Sequence, residues 1–348
     1  LRNAHRPAII AGKGLRWHTD PDLLRQLVER QQIAFISSPM GRGIIPDTHE
    51  LCFNHARVQV QSGADVILVL GARLNWTFRH GGLIGPGTQV IHVDIDPDEI
   101  KSNDTVNLGL VMDSGDFLTA LIDELSTPPE KDTLAQRHNW HQLLNDESSK
   151  RKGLISRLAA SSELPMSPYR LMQELETVIP EDSILVVDGK TSMMAAQHMI
   201  PARKPFSRIT VGSNGCIGTG IPFGIGAAIQ HPQRPVIIIS SDTGFGMNGM
   251  ELETAVRNRI PIILIVVNNN GISGEVTQKS FFPDEAGPIA TFEPGISYEK
   301  IATAVGAEGI LINSPEQVQS AVKRAISSGK PFCINVTVNP NAKSLSEL

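Results

Sequence analysis

The chain has 348 residues, of which 41% are hydrophobic and 5% aromatic, and its formal net charge is −5 at pH 7. This length suggests about two domains, and the negative charge argues against a nucleic-acid-binding surface. The apolar runs are too short to span a bilayer. Cys52, Cys216 and Cys333 form no CxxC pair, which favours free, buried thiols over a disulfide framework or a zinc site.

The first half of the chain alternates predicted strands and helices. Unbroken apolar runs such as residues 66–70 are typical of strands that are buried on both faces of a parallel sheet. The predicted strands are residues 7–12, 33–37, 65–71 and 89–94, and the predicted helices are 21–31, 50–62 and 115–125.

The second half repeats this alternation after a polar, charged stretch that reads as a linker with a helix inside it. Its predicted strands are residues 183–187, 235–240, 261–267, 309–312 and 332–338, and its predicted helices are 168–178, 217–230, 248–258, 297–305 and 315–328. The sequence therefore predicts an α/β protein with two doubly wound parallel-sheet domains. Their predicted limits are 1–127 and 165–340, with a linker at 128–164 and a tail at 341–348.

An acid and an Asn-rich turn follow two consecutive strands of the second half. Asp242 follows the run 235–240, and Asn269 follows the run 261–267. Because a strand–helix–strand crossover returns the chain to the same edge of a parallel sheet, we expect both residues to face one crevice. A carboxylate, an amide oxygen and a turn carbonyl suit magnesium or calcium, which would hold a diphosphate. The alternative is an ordinary strand-end Asp and a common Asn turn.

Two further loops of the second half allow both a functional and a purely structural interpretation. The glycine-rich segment 215–222 precedes a small-residue helix, where glycines let the backbone approach a ligand or simply let helix and sheet pack closely. Lys190 and Thr191 follow another predicted strand. Lys190 is either a phosphate ligand or a solvent-facing turn residue.

The first half also carries charged residues at strand ends. Arg73 follows the strand 65–71, and Asp94 ends the strand 89–94. A guanidinium there can bind phosphate, and an acid can accept a hydrogen bond from a ribose hydroxyl. For Arg73, a surface ion pair is the alternative.

The spacing of Asp242 and Asn269 resembles the diphosphate-binding motif of thiamine diphosphate enzymes. The resemblance implies that Asp242, Asn269 and the Gly271 carbonyl bind Mg²⁺. It also implies that Ile217 wedges between the two rings of the cofactor and bends it. The other implied cofactor-binding residues are Lys190, Thr191, Gly215, Thr243, Gly244 and Ile272. Ser241 and Thr243 depart from the pattern, because the family often has Gly at these positions.

Three segments, 39–43, 71–76 and 267–272, resemble those of oxalyl-CoA decarboxylases and 2-hydroxyacyl-CoA lyases, the CoA-using branch of this family. The resemblance implies a middle Rossmann-like domain at 1–127, which can bind ADP through Arg73, Asp94 and Ile95, and a diphosphate-binding domain at 165–340. It further implies a carbon–carbon lyase that acts on 2-hydroxyacyl-CoA or oxalyl-CoA and forms a homo-oligomer, a dimer or tetramer.

In this family an activating glutamate lies on a pyrimidine-binding domain ahead of the middle domain. No part of this sequence matches that domain, so we assign no catalytic residue and expect the chain to be a fragment. Ser273 stands where this branch usually has an aromatic residue, the segment 274–288 differs from relatives, and the tail is short.

Two other functions stay open. One is an acetolactate synthase or benzaldehyde lyase type of enzyme, which uses free 2-oxo acids or aldehydes. The other is a non-catalytic or decayed nucleotide-binding subunit. The cysteine usage fits a cytoplasmic or peroxisomal location, and we expect neither a nucleic-acid nor a membrane partner.

Overall fold

The computed structural model describes residues 1–18, 20, 22–102, 105–272, 291–342 and 345. The chain divides into two compact units, Leu1–Gly153 with Pro201–Phe206, and Leu154–Ile200 with Ser207–Leu348. A helix of 29 residues, Lys131–Ala159, runs through the predicted linker. Among the described helices, none is long and apolar enough to cross a membrane. The domain limits at 127 and 164 stay a prediction.

The first unit is built on a parallel sheet. In the described residues it has five strands in the order β2-β1-β3-β4-β5. These strands are β1 (Pro7–Ala11), β2 (Ala34–Ser37), β3 (Val66–Leu70), β4 (Gln89–Asp94) and β5 (Leu108–Val111). The helices are α1 (Leu23–Gln31), α2 (Arg57–Gly63), α3 (Pro97–Lys101), α4 (Ser114–Glu124) and, as far as Gly153, α5 (Lys131–Ala159), with short 3-10 helices at Lys13–Trp17, Asn54–Ala56 and Trp76–Gly81.

Asp47, whose side chain is 6% exposed, ties the segment Pro201–Phe206 to the rest of the first unit. Its carboxylate accepts hydrogen bonds from the Arg42 Nε at 2.8 Å, the Asn54 Nδ2 at 3.0 Å and the Ala202 backbone N–H at 2.6 Å. A buried charge is costly unless it is paired and hydrogen-bonded, and these three donors satisfy that requirement. The first unit is therefore discontinuous along the chain.

The second unit is also a parallel sheet, which has six strands in the described residues, in the order β10-β11-β9-β8-β6-β7. These strands are β6 (Ile184–Val187), β7 (Arg208–Thr210), β8 (Val236–Ser241), β9 (Ile262–Asn268), β10 (Glu308–Ile312) and β11 (Phe332–Thr337). The helices are α6 (Pro168–Val178), α7 (Thr191–Met199), α8 (Gly220–Gln230), α9 (Asp242–Asn248), α10 (Glu251–Arg257), α11 (Tyr298–Ala304) and α12 (Val318–Ser328). The prediction of two parallel α/β sheets is confirmed.

The side chains of the apolar strand β8 pack alternately into two hydrophobic clusters, one on each face of the sheet. Ile237 and Ile239 pack into one buried cluster, whereas Val236 and Ile238 pack into the cluster on the opposite face of the sheet. Helices cover both faces, so alternation of polar and apolar residues is lost. Full burial of each such side chain contributes roughly 1.5–3 kcal/mol, which makes this sheet a rigid base for the loops at its edge.

Several elements differ from the sequence predictions. The strands β5 and β7 and the helices α3, α7 and α9 were not predicted, and the predicted helix 50–62 is a 3-10 turn followed by the short α2. The helix predicted from residue 217 begins at Gly220, because Gly218 has a φ of 95° and cannot continue a helix. The expectation of buried thiols is wrong for Cys216, which lies exposed in the glycine-rich loop, whereas Cys333 is buried.

Candidate functional site

The candidate site lies where the strand order of the second sheet reverses. The strands β7 and β8 flank β6 on opposite sides, so the crevice between the carboxyl ends of β6 and β8 is a topological switch point, the usual ligand site of such sheets. Asp188 directly follows β6, Asp242 directly follows β8, and Asn269 directly follows β9. The parallel register pairs Ser241 with Val267, which brings the last two of these side chains to one edge.

The Asp242 carboxylate is fully buried and is enclosed by backbone N–H groups. Its Oδ2 accepts a hydrogen bond from the Gly271 N–H at 2.8 Å, and its Oδ1 accepts one from the Thr243 N–H at 2.7 Å. The Asn269 backbone N–H also donates to it. The turn after β9 therefore wraps around the acid at the end of β8.

The groups that donate hydrogen bonds to the Asp242 carboxylate are neutral. Burial raises the pKa of Asp242 above its usual value, and the hydrogen bonds from Gly271, Thr243 and Asn269 only oppose this rise. A divalent cation would stabilise the ionised carboxylate. The donor set fits such an ion, because a carboxylate, the Asn269 amide oxygen and the Gly271 carbonyl are the oxygen ligands that Mg²⁺ prefers.

The turn after β9 depends on a special backbone geometry. Asn270 has a φ of 58° and Gly271 has a φ of 140°, a region that L side chains rarely adopt. Asn tolerates the first position and Gly the second. This geometry turns the Gly271 N–H back toward Asp242 and leaves Ile272, which is 40% exposed, as the next residue after the turn.

The glycine-rich loop lies at the same edge, beside α9. Gly215 and Gly218 both have positive φ values, 65° and 95°. A Cβ at Gly218 would lie 2.7 Å from the Cβ of Met247, and the Gly218 carbonyl accepts a hydrogen bond from the Asn248 Nδ2 at 2.8 Å. The glycines therefore permit close packing of the loop on α9, with Ile217 half-buried between them.

Four other predicted residues lie around this edge. Thr243 and Gly244 form the buried first turn of α9, and Thr191 begins α7 directly after the exposed Lys190. The end of β6 approaches that of β8 closely, since a Cβ at Gly189 would lie 2.6 Å from the Ser241 Oγ. Ser273 and the segment 274–288 lie outside the described residues.

Sequence reasoning missed Asp188, although the signal was present. Like Asp242, it directly follows a buried apolar strand. Its carboxylate is 1% exposed and accepts hydrogen bonds from the N–H groups of Gly189, Gly218 and Gly220. This acid lies two positions before Lys190, the residue of this turn that the sequence predicts as a phosphate ligand.

The three residues predicted to bind a nucleotide lie at the carboxyl edge of the first sheet. Asp94 ends β4, and its Oδ1 accepts a hydrogen bond from the Asp96 N–H at 3.0 Å. Ile95 is 73% exposed. The Arg73 Nε lies 2.8 Å from the Glu99 Oε1, so the surface ion pair that was the alternative for Arg73 is present.

Comparisons with known protein families match both sheets. The model of the thiamine pyrophosphate enzyme central domain matches residues 1–121, and that of the C-terminal TPP binding domain matches residues 188–336. The chain belongs to the thiamine pyrophosphate enzyme family. The second match includes the edge residues Asp188, Asp242 and Asn269. The candidate site therefore lies in the C-terminal TPP binding domain.

Three curated relatives in this family carry different names. The 2-hydroxyacyl-CoA lyase 1 of Mus musculus is 32% identical, and the match covers 98% of this chain and 61% of that protein. The oxalyl-CoA decarboxylase of Escherichia coli K12 is 30% identical over 98% of this chain and 60% of its own length. A probable acetolactate synthase of Mycobacterium bovis is 31% identical, with 98% and 61% covered. The chain thus spans about three fifths of the relatives that it matches.

Proposed function

We propose that the protein is a thiamine diphosphate- and Mg²⁺-dependent carbon–carbon lyase of the CoA-using branch. It would act on a 2-hydroxyacyl-CoA, giving formyl-CoA and an aldehyde, or on oxalyl-CoA. The observation that carries this proposal is the buried Asp242 carboxylate, enclosed by the turn after β9 at the switch point of the sheet. The names of two relatives, 2-hydroxyacyl-CoA lyase 1 and oxalyl-CoA decarboxylase, support the substrate class.

The metal would be held by Asp242, Asn269 and Gly271 through oxygen atoms. Bound thiamine diphosphate supplies an electron sink for breaking a carbon–carbon bond next to a carbonyl or carbinol carbon. The burial of Asp242 supports this role, because an ion pair in a site without water is stronger than one at the surface.

The remaining site residues would bind and orient the cofactor. Thr243 and Gly244, in the first turn of α9, would hold the diphosphate, and Lys190, Thr191 and Gly215 would hold it from the neighbouring loops. Ile217 would hold the cofactor in its bent shape, and Ile272 would line the same cofactor site. The activating glutamate is expected on a pyrimidine-binding domain, which is not among the domains that match this chain.

The test is calorimetry of the full-length protein with thiamine diphosphate. We expect binding that requires Mg²⁺ and is lost with EDTA. The bound enzyme should then release formyl-CoA from a 2-hydroxyacyl-CoA or from oxalyl-CoA. Cofactor binding without Mg²⁺ dependence would contradict the metal assignment, and absence of binding would contradict the function.

A second enzyme function is supported by the Mycobacterium bovis relative, whose printed name is probable acetolactate synthase. In that case the protein would use free 2-oxo acids or aldehydes at the same metal and cofactor site. Parallel assays of acetolactate formation from a 2-oxo acid and of formyl-CoA release separate the two. The larger kcat/KM identifies the substrate class.

The first unit would bind ADP at the edge formed by Arg73, Asp94 and Ile95, and the intact protein would form a dimer or tetramer. Calorimetry with ADP tests the nucleotide binding, and sedimentation of the full-length protein tests the oligomeric state. A monomer would contradict the expected oligomer but would leave the metal site untouched.

A further inference from the structure

We propose that Asp188 is a positioning residue that holds the glycine-rich loop, and through it Ile217, in a fixed place at the sheet edge. This inference rests on the proposed function, because Ile217 matters only if the cofactor binds beside it. Asp188 itself would touch neither the cofactor nor the metal. The role of Asp188 is to keep the glycine-rich loop in one conformation when the cofactor binds beside it.

The hydrogen bonds of Asp188 tie the loop to two strands. Its Oδ2 lies 3.0 Å from the Gly218 N and 3.0 Å from the Gly220 N. The same oxygen accepts a hydrogen bond from the Ser240 hydroxyl at 3.3 Å, and Oδ1 accepts one from the Gly189 N–H at 2.6 Å. One carboxylate therefore joins the ends of β6 and β8 to the loop before α8.

The carboxylate has little room to move. A Cβ at Gly220 would lie 2.8 Å from the Asp188 Cβ, and a Cβ at Gly244 would lie 2.9 Å from its Oδ2. Such distances are shorter than van der Waals contact, so these two positions require glycine. Glycines from both the loop and α9 thus close around Asp188.

The Gly218 and Gly220 amides point in a direction that limits how the loop can bind a ligand. The N–H groups of Gly218 and Gly220 point inward to Asp188, so they are not available to a phosphate. The negative charge behind them would also repel one, and it already interacts favourably with the N-terminus of α8. These two amides therefore do not serve as phosphate ligands. The loop presents Ile217, the residue directly before the held Gly218 amide.

Asp188→Asn is the informative substitution, since it keeps the shape but replaces one acceptor oxygen by an NH₂ group. That group has no lone pair for the glycine N–H donors that surround it. The loop should then shift or loosen. The contacts of Asp242 with Gly271 and Thr243 are unchanged, so the metal–diphosphate part of the site should persist.

The first experiment needs no cofactor. In the full-length protein without ligand, hydrogen–deuterium exchange of the peptide covering residues 211–222 should be slow, and Asp188→Asn should accelerate it by at least about tenfold. Exchange that is equally fast in both proteins would overturn the proposal, whatever the function of the site.

The second experiment compares binding with turnover. For Asp188→Asn we expect kcat to fall by roughly 100-fold, because a small misplacement of a positioning group has that effect. The Kd for thiamine diphosphate with Mg²⁺ should change by less than about threefold. The near-ultraviolet circular dichroism of the bound cofactor should also change. An unchanged kcat together with an unchanged spectrum would contradict the proposal.

A double-mutant cycle tests whether Asp188 acts through Ile217. In an Ile217→Ala background, Asp188→Asn should reduce kcat by less than about threefold, whereas independent effects would multiply. If Asp188→Asn does not fold, Gly218→Ala is the second variant, because its Cβ would clash with Met247 and displace the same amide. It should likewise lower kcat and leave the Kd for thiamine diphosphate nearly unchanged. The inference would be contradicted if the effects of Asp188→Asn and Ile217→Ala on kcat multiplied in the double mutant. A Gly218→Ala protein with normal kcat would also contradict it.

Asp47→Asn is the matched control, because the Asp47 side chain is 6% exposed and its carboxylate also accepts a backbone N–H, in the first unit. We expect it to leave the cofactor spectrum and the exchange of residues 211–222 unchanged. If the unmodified protein binds no thiamine diphosphate, the proposed function fails. The exchange experiment would still decide whether Asp188 holds the loop.

Discussion

The carboxyl edges of the two sheets carry acids at comparable places, but Asp94 at the first edge is only half-buried. At the second edge, Asp188 and Asp242 are buried, and each carboxylate oxygen accepts at least one backbone N–H. At the first edge, Ile95 is 73% exposed, and Arg73 is half-exposed in an ion pair with Glu99. A strand-end motif determines where a side chain lies, whereas burial determines how strongly its charge acts. We therefore expect the larger functional effects at the second edge.

The strongest test of this contrast compares Asp242→Asn with Asp94→Asn in the full-length protein. Loss of even an outer partner of a metal site reduces affinity by about 10–100-fold, so loss of the Asp242 charge should weaken Mg²⁺-dependent binding of thiamine diphosphate by at least about 100-fold. Asp94→Asn should leave this Kd unchanged in calorimetry. Equal losses in the two variants would break the comparison.

The packing that supports the buried edge can be tested on α8, which offers a matched pair of glycines. A Cβ at Gly224 would lie 2.3 Å from the Ile238 Cδ1, whereas a Cβ at Gly226 would meet nothing within 4 Å. Gly224→Ala should therefore destabilise the protein by about 1–3 kcal/mol through overpacking. Gly226→Ala should stabilise it by about 0.5–1 kcal/mol, because Ala favours a helix.

Denaturant unfolding followed by circular dichroism measures both free energies of unfolding. A Gly224→Ala protein as stable as Gly226→Ala would mean that the helix lies less tightly on the sheet than the distances indicate.

The pH dependence of stability sharpens the contrast further. Burial raises the pKa of Asp242 above its usual 3.8, so the folded, metal-free protein holds this proton more tightly than the unfolded chain. The acid thus favours folding most below pH 3.8, and this contribution is lost as the pH rises through the raised pKa. Mg²⁺ with thiamine diphosphate favours the ionised form.

We therefore expect the ligands to raise the Tm more at about pH 7 than at pH 3.8, where the raised pKa leaves most of the folded, metal-free protein protonated at Asp242. The Asp242→Asn protein is the control for proton binding by the cofactor itself, and its increment should be small at both pH values. An increment in the unmodified protein that does not depend on pH would argue against a cation at this carboxylate.

The smallest effect is expected at the exposed edge. The side chains of Arg73 and Glu99 are 51% and 22% exposed, so Arg73→Ala should change the free energy of unfolding by less than about 1 kcal/mol. If ADP binds there, the same substitution should weaken it by about tenfold, the usual effect of losing one charge-assisted hydrogen bond. Calorimetry with ADP measures this, and a Kd unaffected by Arg73→Ala would leave Arg73 only its ion pair with Glu99.

The sequence predicts best what the periodicity of apolar residues controls. Unbroken runs such as 236–239 and 262–267 mark the central strands because both of their faces are buried. The acid and the Asn-rich turn after these strands follow from the geometry of a parallel crossover. The strand pattern thus predicts where Asp242 and Asn269 lie, and the resemblance to the family adds the prediction that they bind Mg²⁺ and a diphosphate.

Elements that depend on tertiary contacts were not predictable in this way. The strand β5 is partly exposed and contains Gly109, and β7 has three residues, so neither gives a clear periodic signal. The start of α8 depends on a hydrogen bond from the Gly220 N–H to Asp188, an acid 32 positions earlier in the chain. Local propensity contains no information about such a partner.

The discontinuity of the first unit has a consequence for dissecting the molecule. The chain leaves this unit after Gly153, returns for Pro201–Phe206 and leaves again. A polypeptide ending at Gly153 would lack Ala202, whose N–H donates to the buried Asp47 carboxylate. Neither unit can therefore be excised as one uninterrupted piece, and a protease that cuts near residue 200 would leave Ala202, the hydrogen-bond donor to Asp47, close to a new chain end.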